Sequence, residues 1–110
     1  MKVSSRLRLV LLLASVTVVL AQDVSAPRRV EQKNREFIVK EITIKPGEKI
    51  EFCNADDVTH NVFSRSKVNP FTIKTQMPGT SSVVEFKEEG VTEVRCAIHP
   101  AMKLIVTVKN

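Results

Sequence analysis

The chain has 110 residues, with 17 basic and 12 acidic side chains, two Cys, two His and neither Trp nor Tyr. Three of the basic residues (Lys2, Arg6, Arg8) stand in the first 21 positions, which hold no acid, so the remainder carries 14 basic against 12 acidic groups and a balance of only +2. That argues against nucleic-acid binding, which calls for a clustered basic patch, and the length allows one small domain with a single modest core.

Lys2, Arg6 and Arg8 precede an apolar run from Leu9 to Leu20, and Val19-Leu20-Ala21 reads as a small-residue cleavage site. Residues 1–21 are therefore expected to be a secretory signal peptide, cleaved after Ala21. The run is shorter than the roughly 20 residues of a transmembrane helix, so no stable membrane insertion is expected after cleavage. Export places the mature chain in the periplasm, an oxidising compartment where two Cys pair by default.

Residues 22–35 are polar and contain Pro27 and the charged run Arg28-Arg29-Val30-Glu31-Gln32-Lys33. They read as a solvated N-terminal arm leading into a domain over 36–110. A first strand is expected around Phe37-Ile38-Val39. From there the hydrophobic period is two. Ile42 and Ile44 alternate with Thr43 and Lys45, Pro46-Gly47 turns the chain, and Ile50 and Phe52 alternate with Glu51 and Cys53. Asn54 to Asp57 reads as a polar loop, with Asp56 and Asp57 as a solvated turn, before a strand through Val62-Phe63. Residues 64–81, broken by Asn69-Pro70 and Met77-Pro78-Gly79, read as an irregular connection between sheets. Val84 and Phe86 alternate again, Glu88-Glu89-Gly90 turns, and Thr92, Val94 and Cys96 share one parity. Leu104, Val106 and Val108 close the pattern. Short alternating strands separated by turns, with no convincing helix, predict an all-β sandwich or barrel.

Cys96-Ala97-Ile98-His99-Pro100-Ala101-Met102 puts a thiolate, an imidazole and a thioether within seven positions, and His60 can add a second imidazole. A His₂Cys site with a weak axial Met is the ligand set of a blue-copper centre. Soft sulfur suits Cu(I) and imidazole suits both oxidation states. The short loop, pinned between two strands, would hold its ligands rigidly. Zinc fits less well, because it prefers four ligands from Cys, His and carboxylate and would have to take a thioether here. A Cys-His hydrolase lacks an orienting third group and an oxyanion site. The remaining alternative is a Cys53–Cys96 disulfide in a metal-free binding module. Strand parity opposes it: Cys53 is turned outward with Glu51 and Cys96 inward with Val94, whereas bridged Cα atoms lie roughly 4.4–6.8 Å apart.

The segment Asp56-Asp57-Val58-Thr59-His60-Asn61-Val62-Phe63, followed by Val94-Arg95-Cys96-Ala97-Ile98-His99-Pro100-Ala101-Met102, resembles the plastocyanin/amicyanin family of cupredoxins over most of residues 36–109. The Cys-x₂-His-x₂-Met spacing is similar to the amicyanin loop. The resemblance implies a cupredoxin-like Greek-key β-sandwich binding one copper per chain. His60, Cys96, His99 and Met102 would be the metal ligands, and Asn61 would hydrogen-bond across to the Cys loop. It further implies a monomeric electron carrier rather than an enzyme. A periplasmic dehydrogenase would be the donor and a c-type cytochrome the acceptor, docking near His99 on an apolar surface that includes Ile98, Pro100 and Ala101. A copper carrier or storage module would use the same residues. The chain departs from the family in Ala97, where Ser or Thr often follows the Cys, and in Arg95, where plastocyanins have Tyr. Arg95 reads as part of an exposed polar face, and Met77 as surface or packing rather than ligand.

Overall fold

Alternating side chains build nine strands in the part of the chain that the computed structural model describes, residues 10–17 and 26–110. They are β1 (Arg28–Lys33), β2 (Glu36–Phe37), β3 (Glu41–Ile44), β4 (Glu48–Asn54), β5 (His60–Ser64), β6 (Phe71–Gln76), β7 (Ser81–Phe86), β8 (Gly90–Arg95) and β9 (Lys103–Val108). Much of the expected leader, residues 1–9 and 18–21, lies outside the described residues, as do 22–25. The described residues form no helix, and so none long and apolar enough to cross a membrane.

The strands form two sheets, ordered β2-β1-β4-β7 and β3-β9-β8-β5-β6. Each contains one parallel pairing, β1 with β4 and β3 with β9. Inward residues of period two fill the space between the sheets: Val30, Ile44, Ile50, Phe52, Val62, Phe86, Val94, Leu104, Val106 and Val108 are all buried. Four phenylalanines run through this core, with Phe52 6.4 Å from Phe37 and 5.6 Å from Phe71, and Phe71 5.9 Å from Phe86 between ring centroids. Burying side chains of this size contributes about 1.5–3 kcal/mol each. The all-β sandwich expected from the alternation is the fold observed.

Two stretches differ from the sequence reading. The solvated arm expected over 22–35 is a strand from Arg28 onward. β1 lies parallel to β4, with Val30 opposite Phe52 and Gln32 opposite Asn54, and both Val30 and Gln32 are buried. Only one of its two inward positions is apolar, so no hydrophobic period shows. A two-residue turn joins β1 to β2, with Asn34 and Arg35 both left-handed at φ 53° and 56°, as a type I′ hairpin requires. The irregular connection expected over 64–81 contains β6, an edge strand antiparallel to β5. Phe71 and Ile73 are its only apolar inward residues and a bulge breaks its register, so its alternation is short.

Cys53 is turned away from the core, as parity suggests, but solvent does not reach it. It is absent from the core cluster yet only 3% exposed. β1 covers the flank that a solvated arm would have left open, placing Glu31 on one side of Cys53 and Ser81 of β7 on the other. Cys53 and Cys96 are both free thiols.

Gly90 opens β8 at φ 139°, and a Cβ there would lie 2.8 Å from Val68 Cγ2. The approach is fixed by Asn69, whose side chain donates to the Glu88 carbonyl at 2.8 Å and accepts from the Glu88 N–H at 3.0 Å. Gly90→Ala is expected to lower stability by about 2–4 kcal/mol, from backbone strain plus overpacking. Urea denaturation would measure this, and a loss below about 1 kcal/mol would contradict the close packing.

Candidate metal centre

Sheet topology brings the two chemically active segments together. β8 and β9 form an antiparallel pair with Arg95 opposite Lys103, so residues 96–102 are the loop between them. β5 lies on the other side of β8, with Phe63 opposite Arg95. Antiparallel pairing then sets His60, at the start of β5, at the same end as that loop. Cys96 continues the inward parity of Thr92 and Val94 and is 1% exposed.

Three donor atoms converge there. Cys96 Sγ lies 3.8 Å from His60 Nδ1 and 3.9 Å from His99 Nδ1, and the two Nδ1 atoms are 3.1 Å apart. All three lie within 4.8 Å of one another. These separations suit ligands that share one ion at about 2.0–2.3 Å, the bond lengths of imidazole and thiolate to zinc. Met102 ends the loop, is 1% exposed, and packs within the core cluster. His60 is fully buried and His99 half-buried. Two imidazoles and a thiolate converge at one end of the sandwich, with buried Met102 closing the same loop, and copper suits such nitrogen and sulfur donors better than zinc when a thioether is the fourth candidate.

Hydrogen bonds orient the donors. Asn61 Oδ1 accepts from the Ala97 N–H at 2.7 Å, tying β5 to the first turn of the ligand loop. The Met102 N–H donates to the His99 carbonyl at 3.0 Å and closes the loop's second turn. His60 Nε2 donates to Asp56 Oδ2 at 3.0 Å, which leaves the Nδ1 lone pair directed into the site. A carboxylate behind an imidazole fixes its tautomer and the orientation of its ring.

Of the solvated turn expected at Asp56 and Asp57, only Asp57 is exposed. The Asp56 side chain is 7% exposed. Its carboxyl is held well below the usual carboxylate range, first by the Arg35 N–H at 2.8 Å, and further by His60 and the Asp57 N–H, against the opposing effect of burial. Asn54 stands behind it, accepting from the Asp56 N–H at 2.9 Å and donating to the Val58 and Gln76 carbonyls. Gln76 in turn binds Gln32 of β1 at 2.9 Å. An acid four residues before the histidine was the available signal, but that spacing also describes an ordinary turn.

Arg95 also departs from its reading as plain exposed surface. It is half-buried, and its guanidinium reaches Glu93 Oε1 at 3.2 Å and the Pro100 carbonyl at 3.1 Å. Met77 is exposed, directly after Gln76, the register partner of His60. Ile98, beside His99, is 52% exposed.

Residues 24–109 match the family described as copper binding proteins, plastocyanin/azurin family, and the chain belongs to that family. It is 34% identical over 61 residues to the methylamine utilization protein MauL of Methylorubrum extorquens, an alignment that spans 54% of each chain, so about half the length of that relative is matched. Among solved structures, amicyanin from Paracoccus versutus superposes with a TM-score of 0.70 at 26% identity, covering 79% of this chain and 86% of that one. A copper-containing nitrite reductase from Thermus scotoductus superposes with a TM-score of 0.71 at 26% identity; the match covers 77% of this chain but only 23% of the reductase. The chain is thus a cupredoxin. Its cofactor is a single copper ion, which the donor set fits.

Proposed function

We propose that the mature chain is a periplasmic type 1 copper protein that carries single electrons and turns over no substrate. His60, Cys96 and His99 are its strong ligands and Met102 its weak axial one. The observation that carries this reading is the convergence of two Nδ1 atoms and one Sγ within 4.8 Å, two of them on a loop bounded by paired strands and the third, from His60, at the start of β5. Bound copper supplies a one-electron Cu(I)/Cu(II) couple. The protein's part is to keep the donors in one arrangement for both states. Buried Cys96, His60 and Met102 are fixed by the core, and Asn61 and Asp56 hold the loop and one ring.

His99 is the one half-exposed donor, so partners reach the centre most closely at its edge. The exposed Ile98 beside it gives that edge an apolar rim, suited to the small, transient interfaces of redox encounters. A dehydrogenase as donor and a c-type cytochrome as acceptor are the partners proposed. Adding Cu(II) to the metal-free mature chain should give an intense visible thiolate-to-copper band that saturates at one copper per chain and bleaches with one electron. A colourless protein that nonetheless holds one copper would rule the reading out.

A further inference from the structure

The two imidazoles are held in different ways. His60 is fixed through its own ring, by Asp56. The ring of His99 contacts only the other donors, His60 and Cys96, among the hydrogen-bond partners of the described residues. Its position therefore depends on the loop backbone around it. Asn61 holds that loop at Ala97, ahead of His99. Beyond His99 the one side chain among the described residues that holds it is Arg95, through the Pro100 carbonyl at 3.1 Å.

We propose that Arg95 is a positioning residue for the ligand loop, holding His99 in place through the carbonyl of Pro100; this rests on the copper reading above. Arg95 is the last residue of β8 and precedes Cys96, so its stem is anchored by the sheet. Its neighbours Val94 and Cys96 point inward, which sets Arg95 on the outer face, alongside the loop. Glu93 occupies one prong of the guanidinium at 3.2 Å and leaves the other for Pro100. A planar fork can serve two acceptors at a fixed angle, as the compact ammonium of Lys cannot. Proline at position 100 restricts φ, so holding its carbonyl also fixes the turn through which the Met102 N–H meets the His99 carbonyl. Without the clamp, the His99 half of the loop gains conformations that metal binding must then remove.

The test compares Arg95→Met, Glu93→Gln and Arg65→Met. Arg65 is the control: it lies on the same face, 5.5 Å over the Phe63 ring, with no bond to the ligand loop. In metal-free protein, amide hydrogen exchange at Met102 should quicken about threefold to tenfold in Arg95→Met, the size expected for one half-exposed charged hydrogen bond. Copper release to a chelator should quicken by a similar factor, with a changed copper hyperfine splitting. Glu93→Gln should move all three in the same direction but less, and Arg65→Met should move none. Exchange and release within twofold of the wild type in Arg95→Met would overturn the proposal, as would an equal effect of Arg65→Met. If Arg95→Met does not fold, Glu93→Gln decides, and an unchanged Met102 exchange overturns it. If the wild type takes copper without colour, the function reading fails on its own, while exchange in the metal-free protein still decides the role of Arg95.

Discussion

Cys96→Ser is expected to abolish the visible band completely and to weaken copper binding, while Cys53→Ser leaves the band unchanged. The two thiols are both buried, so burial does not separate them. Position does. Cys96 Sγ lies within 4 Å of both His Nδ1 atoms. Cys53 lies between Glu31 and Ser81 in the other sheet, outside the core cluster. A hydroxyl in place of the thiolate keeps the volume and removes the soft donor that copper prefers. Titrating both variants with Cu(II) under visible absorption checks this. Loss of the band in Cys53→Ser, or its survival in Cys96→Ser, would require a different ligand set.

Asp56→Ala should produce the second large effect, on both stability and metal affinity. The substitution leaves the buried His60 Nε2–H and the Arg35 and Asp57 N–H groups without their carboxylate. Hydrogen bonds to a charged acceptor contribute about 1.5–3 kcal/mol each when lost from a buried site. Allowing for relaxation of the exposed Asp57 amide, a loss of about 2–4 kcal/mol is expected. Copper affinity should fall about 10- to 100-fold, as for other carboxylates that orient metal-bound histidines. Asp56→Asn, which keeps one acceptor oxygen, should fall between. The pH dependence has a definite sign. Because the folded carboxyl is held well below its usual range, its contribution is fully present above the unfolded value of about 3.9 and is lost as pH falls toward the folded one. The stability gap between wild type and Asp56→Ala should therefore shrink as the pH falls below about 4. Urea denaturation of the metal-free proteins measures it, and a gap that widens below about pH 4 would contradict the assignment.

Legibility in the sequence followed burial pattern closely. Where two or more apolar residues alternate, as in Ile50-Phe52 or Leu104-Val106-Val108, the strands and their inward faces could be read directly, and all five residues are buried. The donor residues were legible because their chemistry is rare: the chain has only two His and two Cys, and Cys96, His99 and Met102 stand within seven positions. What escaped was polar. β1 buries Gln32 rather than a second aliphatic residue, and its charged flanks mask the period. Asp56 and Arg95 act through partners that are distant in sequence or are backbone groups: the Arg35 amide is 21 residues from Asp56, and the acceptor for Arg95 is a carbonyl. Side-chain type carries no trace of such pairings, since any residue offers an amide and a carbonyl.

The hydrogen bond from the Arg35 amide to Asp56 also governs where this chain can be shortened. Residue 36 is the domain boundary suggested by apolar alternation. A chain begun there would lose the parallel neighbour of β4, the Gln32 side chain that braces Gln76 and one of the three donors on Asp56. Arg35, at the end of the segment before residue 36, is thus two hydrogen bonds away from His60, a proposed copper ligand. A fusion or affinity tag joined ahead of Arg28 leaves that connection whole, and one joined at residue 36 severs it.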